Sequence, residues 1–304
     1  MIGLILLAAA AIAAAAPLPK AAIPEGKRFL VIQPHHDDHT TDYGMGGLIA
    51  KLVDAGYDGW FIRASNDEKD GAWGYPHNDM INQRESEAAI AILGMKGLYS
   101  LGWRNDYMDP TPLLELRAQI ILLIRKHRPD VVLGHDPWGH YDRNPDHRKV
   151  ARACAEAVWM AGLRNVHPEH IELGLEPWRV PHQFLKARVD YGRGHEANVA
   201  VELTQAHVAR KMKAYSAHRN VYAHPSMARS VRQQLAARGL KAPELDRKTD
   251  EEAAVAIEEW HMDWISRKRG TENGLRYAEI FYYLGEFDHL PGLTGYLRDN
   301  VVKR

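Results

Sequence analysis

The chain has 304 residues, 45% hydrophobic and 26% charged, ordinary values for a globular protein with room for one large α/β domain or two small ones. Lysine plus arginine and aspartate plus glutamate both number 39, so the basic excess of a nucleic-acid binder is missing. The single cysteine, Cys154, excludes an intrachain disulfide and reads as a small packed side chain in a helical run.

Residues 2–16 (IGLILLAAAAIAAAA) form an uncharged apolar run, followed by PLPKAAIPEGK. The run is short against the ~20 residues of a membrane span and matches the apolar core of a secretory signal. Residues 1–22 are therefore expected to be a signal peptide or apolar leader, with an uncleaved anchor or disordered tail as the alternative, since the basic segment that normally precedes such a core is missing. Secreted or periplasmic placement follows, or cytoplasmic placement if the leader does not function. No later stretch is apolar and long enough to span a bilayer.

Residues 27–33 (KRFLVIQ) predict a short buried strand that stops at Pro34, and PHHDDHTTDYGMGG a polar loop. A helix over 46–56, a strand over 59–64, the loop SNDEKDGAWGYPHND, a helix over 80–93 and a strand over 98–103 follow. The amphipathic segment 113–127 predicts a helix and 130–134 (DVVLG) a fourth strand. This alternation implies parallel βαβ units in a doubly wound α/β sheet, where ligands bind at the carboxyl ends of the strands. Farther on, 182–191 and 197–204 look like strands and 205–219 like a helix; residues 228–270 form a charge-rich helical insertion, read as a peripheral cap with a solvated face.

Polar clusters follow the first, second and fourth strands. PHHDDH at 34–39 packs histidines beside carboxylates that would repel one another without a compensating cation. NPDHR at 144–148 opens the helix that carries Cys154, where Asn144 or Asp146 can cap the helix and His147 lies in its first turn. A catalytic zinc takes three nitrogen or oxygen ligands and leaves one position open. His35, Asp38 and His147 supply that set, and Asp37 remains beside it as a general base. GMGG at 44–47 is not a dinucleotide fingerprint, and neither a G-x-S-x-G elbow nor an H-E-x-x-H pair occurs.

PHHDD resembles the PHPDD signature, and NPDHR the HPDHR signature, of the PIG-L/LmbE-like deacetylases. RESEA at 84–88, LGWRND at 101–106, NVAVELT with Lys211, Ala214 and His218, and YAEIF at 277–281 extend the resemblance over roughly residues 29–285. The resemblance implies a Rossmann-like fold over 27–304, a zinc ion on His35, Asp38 and His147, and Asp37 as the base. It also implies removal of an N-acetyl group from an N-acetylglucosamine-type sugar or glycoconjugate. It points to Arg84, Asn144, His218 and Asp106 as substrate contacts; Asp146 is counted with Asp37 among the catalytic residues, as a carboxylate orienting a histidine.

Two departures stand out. His36 replaces the usual proline, and Asn144 stands where a histidine is usual and cannot donate a proton. Asp37 would then have to carry the proton, or His135, His140 or His218 substitute. A metallohydrolase of non-sugar amides or esters, and a non-catalytic sugar-binding protein, are the alternative readings.

Overall fold

The computed structural model describes residues 16–106, 108–138, 142–186 and 197–286, together with 288, 296, 300 and 302. The apolar leader up to residue 15 lies outside the described residues, as do His140 and the end of the strand expected at 182–191.

Seven strands form one sheet in the order β3 (Gly97–Trp103), β2 (Asp58–Ser65), β1 (Arg28–Gln33), β4 (Val131–His135), β5 (His182–Lys186), β7 (Ala278–Leu284), β6 (Val199–Glu202). The first five are parallel; β7 runs antiparallel to both β5 and β6. The inner parallel strands β1, β2 and β4 are covered on both faces, so their middles are continuous apolar runs rather than alternating ones, whereas β3 at the edge is only partly buried. In β1, Phe29 and Val31 enter the layer built with α1 (Gly46–Asp54), α2 (Asn78–Leu93) and α6 (Gln205–Tyr215). Leu30 and Ile32 enter the opposite layer with α3 (Leu113–His127) and α4 (Pro145–Met160), where Cys154 is packed.

After α4 and the short α5 (Glu169–Glu172), the expected charge-rich segment is helical: α7 (Pro225–Ala237), α8 (Pro243–Asp246) and α9 (Asp250–Glu272). These helices share a small core of Ala228, Leu245, Ala253 and Ala254. A reciprocal Thr249–Glu252 capping box starts α9. No helix among the described residues is long and apolar enough to cross a membrane.

The chain winds outward from β1 through β2 to β3, then returns to place β4 on the other side of β1. The loops after β1 and β4 therefore leave in opposite directions and open a crevice between them, the position at which doubly wound sheets bind ligands.

Candidate metal centre

The β1–α1 loop is folded onto itself. Asp38 Oδ2 accepts the backbone N–H of His35 at 3.0 Å, and the hydroxyls of Thr40 and Thr41 donate to the carbonyls of Asp37 and Asp38. Gly44 closes the turn so tightly that a Cβ there would lie 2.7 Å from the Asp38 carbonyl oxygen, too close for any side chain. The buried Lys211 ammonium of α6 donates to the carbonyls of Asp42 and Gly44 and to Glu279 at 2.9 Å. Glu279 of β7 in turn accepts the N–H groups of Gly47 and Leu48, at the helix terminus where negative charge is favoured. One buried ion pair thus ties the loop to α1, α6 and β7.

The β4–α4 loop ends in a conventional helix start. Asn144 is the N-cap, accepting the Asp146 N–H at 2.9 Å, and Pro145 occupies the first helical position. His147 is thereby held in the first turn. Its Nδ1 faces Asp142 Oδ2 at 2.8 Å, which leaves Nε2 to present a lone pair. His35 is oriented in the same way but inverted, with Nε2 3.2 Å from Asp146 Oδ2 and Nδ1 turned inward.

The inward atoms form a triangle: His35 Nδ1 to Asp38 Oδ2 3.1 Å, His35 Nδ1 to His147 Nε2 3.1 Å, and His147 Nε2 to Asp38 Oδ1 3.3 Å. Ligands ~2.0–2.2 Å from a tetrahedral zinc stand ~3.3–3.6 Å apart, so the triangle needs only slight opening to hold such an ion. The electrostatics fit as well. Burial opposes charge on His147, yet Asp38 and Asp142 lift it to about 9, and His35 is likewise raised by Asp38 and Asp146. Against its own burial, Asp38 is held well below the usual carboxylate range by His147 and His35. The site calls for positive charge, and a divalent cation would supply it.

A cavity of about 250 Å³ opens onto this triangle, lined also by Asp37, Tyr43, Lys69, Asn105, Asp106 and Asn144. Burial, with the Asp70 and Asp38 carboxylates nearby, pushes Asp37 up to about 7 against the pull of His36. A carboxylate with that value suits proton transfer near neutrality.

Of the residues expected at the site, His35, Asp37, Asp38, His147, Asp106 and Asn144 line this cavity. Three lie elsewhere. Asp146 is fully buried, and its oxygens accept from the backbone N–H groups of Asp106 and Met108 as well as facing His35; it orients the His35 ring and does not line the cavity. Arg84 is exposed on α2 and does not line the cavity, because the helix turns Asn82, Ser86 and Glu85 inward instead. His218 has no exposed surface and packs edge-on against His36 and His39, too deep to contact substrate. His135 is also buried, stacked 4.8 Å from His147, with burial lowering it to about 4; it is a neutral wall of the site. Sequence reasoning missed Asp142, Lys69, Asn105 and Tyr43. Their one signal was membership of the loops that follow the strands.

The family described as PIG-L, GlcNAc-PI de-N-acetylase, matches residues 30–158, which hold both metal-site loops. The diacetylchitobiose deacetylase of Thermococcus kodakarensis is 30% identical over 203 residues, covering 64% of this chain and 70% of the relative. A 1D-myo-inositol 2-acetamido-2-deoxy-alpha-D-glucopyranoside deacetylase of Mycobacteroides abscessus is 28% identical over 157 residues, covering 43% and 55%. Among solved structures, the N,N'-diacetylchitobiose deacetylase of Pyrococcus horikoshii superimposes with a TM-score of 0.66 at 25% identity, covering 89% of this chain and 88% of the other. The two motifs, the crevice they meet in and these similarities agree: the chain belongs to the PIG-L family of GlcNAc-PI de-N-acetylases and is an amidohydrolase.

Proposed function

We propose that this enzyme hydrolyses the N-acetyl group of an N-acetylglucosamine-type sugar or glycoconjugate, with His35, Asp38 and His147 holding zinc and Asp37 as general base. The observation that carries this reading is the triangle of His35, Asp38 and His147 donors facing the same cavity as a carboxylate raised to about 7. Relatives named as deacetylases of diacetylchitobiose and of a GlcNAc-inositol support the sugar assignment.

The ion, when bound, supplies Lewis acidity toward the amide carbonyl and toward water. Asp37 takes the proton from the attacking water and delivers it to the departing nitrogen, because an amine anion is too poor a leaving group. Asn144, held by its cap hydrogen bond, keeps an amide N–H₂ available to the cavity; this donates a hydrogen bond to developing negative charge where a histidine is usual in the family. Lys69 and Tyr43 are further donors in the same wall. Asp106 and Asn105, in the loop after β3, are suited to accept or donate to sugar hydroxyls. The C–N bond breaks, acetate leaves, and the free amine of the sugar is the second product.

Residues 27–304 then form one deacetylase domain with α7–α9 as its insertion. The apolar leader supports a secreted or periplasmic site of action, checked by N-terminal sequencing of exported protein. The reaction is tested by acetate release from N-acetylglucosamine and its glycosides, with protein as isolated, after chelation, and after readdition of zinc. Release that disappears on chelation and returns with zinc is expected; release unaffected by chelation would refute the metal's role.

A further inference from the structure

The cavity at the metal triangle is not closed on the side of α9. A second cavity of about 320 Å³, at the lower end of the ~300–1,000 Å³ range of ligand pockets, shares Asp37 and Tyr43 with it. Its other walls are Asp42 from the metal loop, Tyr215 at the end of α6, and Ile257, Glu258 and His261 from α9. The inserted helix, expected from sequence to present a solvated face, is therefore one wall of a space that begins at the catalytic carboxylate.

We propose that this second cavity is the subsite for the group attached to the reacting amino sugar, and that it takes a neutral or amine-bearing sugar ring and disfavours an anionic one. The inference rests on the reading of the metal site as an amino-sugar deacetylase and names the substrate class that site selects. Three observations carry it. First, the described residues lining the cavity include Asp37, Asp42 and Glu258 but no lysine or arginine, and the imidazole of His261 is engaged with Asp42 at 2.9 Å. Asp42 is held below the usual carboxylate range by His261 against its burial, so a phosphate or carboxylate there would meet its negative charge and find no lysine or arginine among the described lining residues, which costs affinity and excludes wrong partners. Second, Tyr43 and Tyr215 give it aromatic walls, and the half-exposed Trp264 stacks on His261 with ring centroids 6.0 Å apart, extending an aromatic surface outward. Such rings have apolar faces for the C–H face of a sugar and polar edges for its hydroxyls. Third, Glu258 hydrogen-bonds to no described residue although it faces the cavity; burial, with Asp42 nearby, pushes it up to about 7. Near neutral pH it can both donate to and accept from a hydroxyl.

The test uses three probes: N-acetylglucosamine, N,N'-diacetylchitobiose and N-acetylglucosaminyl malate. Dissociation constants are measured by calorimetry and acetate release is followed in parallel, with wild type, Glu258→Gln and Glu258→Arg. The disaccharide should bind at least about tenfold more tightly than the malate glycoside. Glu258→Arg should erase or invert that preference, and Glu258→Gln should reduce it by about threefold. The Gln variant adds no charge or bulk and keeps the test decisive if the Arg variant does not fold. Equal affinities in wild type, or a preference unmoved in a folded Glu258 variant, would overturn the subsite. If none of the probes releases acetate yet the affinity preference and its Glu258 dependence hold, the subsite stands and the hydrolytic reading falls.

Discussion

The two walls of the active-site region are built by different means. The metal wall stands on the parallel sheet: the proposed ligands His35, Asp38 and His147 lie on the loops that join β1 to α1 and β4 to α4 at the switch point, and each histidine has a carboxylate behind it, Asp146 for His35 and Asp142 for His147. The facing wall is α9, part of a helical insertion with its own alanine-rich core and no strand. In the first, His35, Asp38 and His147 are each held by another polar group, so changes there are expected to disturb the site as a whole. In the second, a Glu258 carboxylate faces the cavity without a hydrogen bond to a described residue, so side chains are expected to change there while the chemistry persists. The proposed chemistry sits on the sheet and the proposed selectivity on the insertion.

Substitutions on the metal wall should have the largest effects. His147→Ala is expected to reduce bound metal and acetate release to background while far-ultraviolet circular dichroism stays unchanged; metal content equal to wild type would remove His147 from the ligand set. Lys211→Met leaves the buried Glu279 carboxylate without its partner, a kind of change that costs about 3–5 kcal/mol. Chemical denaturation would detect this, and a loss under about 1 kcal/mol would mean that the N–H groups of α1 suffice to hold Glu279. Asp142→Ala and Asp146→Asn should each weaken metal binding by about 10–100-fold, read by competition with a chelating dye, because they free a ligand ring to turn.

The insertion should respond more mildly. Glu258 has its folded-state value raised from 4.5 to about 7 by burial and by Asp42, with His261 opposing. Unfolded chains bind fewer protons there than folded ones between those values, so this residue's contribution falls as pH rises from about 4.5 to 7 and stays low above it. Glu258→Gln should therefore gain melting temperature over wild type at pH 8 and gain least at pH 4.5. An equal gain at both values would show that the carboxyl is not held protonated by its surroundings.

Much of the metal wall was legible in the sequence. The strands are short apolar runs bounded by polar loops; the cluster after β1 packs carboxylates that repel one another unless an ion joins them, and NPDHR at the start of α4 offers a further histidine. The corrections share a physical cause: sequence spacing does not report side-chain direction. Asp146 and His147 are adjacent, yet the first turn of α4 sends one behind His35 and the other to the cavity. Arg84 and Glu85 are divided in the same way by α2, where only Glu85 turns inward, to accept the Asn220 N–H. That α9 walls a cavity was hidden because its apolar pattern misleads. Its packed face is made of Ala253, Ala254, Met262, Ser266 and Gly270, while Trp260 and Trp264 are exposed. A reading weighted by large hydrophobic residues turns such a helix the wrong way round.

The division of labour at the metal wall is tested most directly by Asp37→Asn, with metal content and acetate release measured on the same preparation. One ion per chain is expected, as in wild type, with turnover lowered by about 10²–10⁴-fold. Turnover at the wild-type rate, or loss of the ion along with the activity, would contradict it.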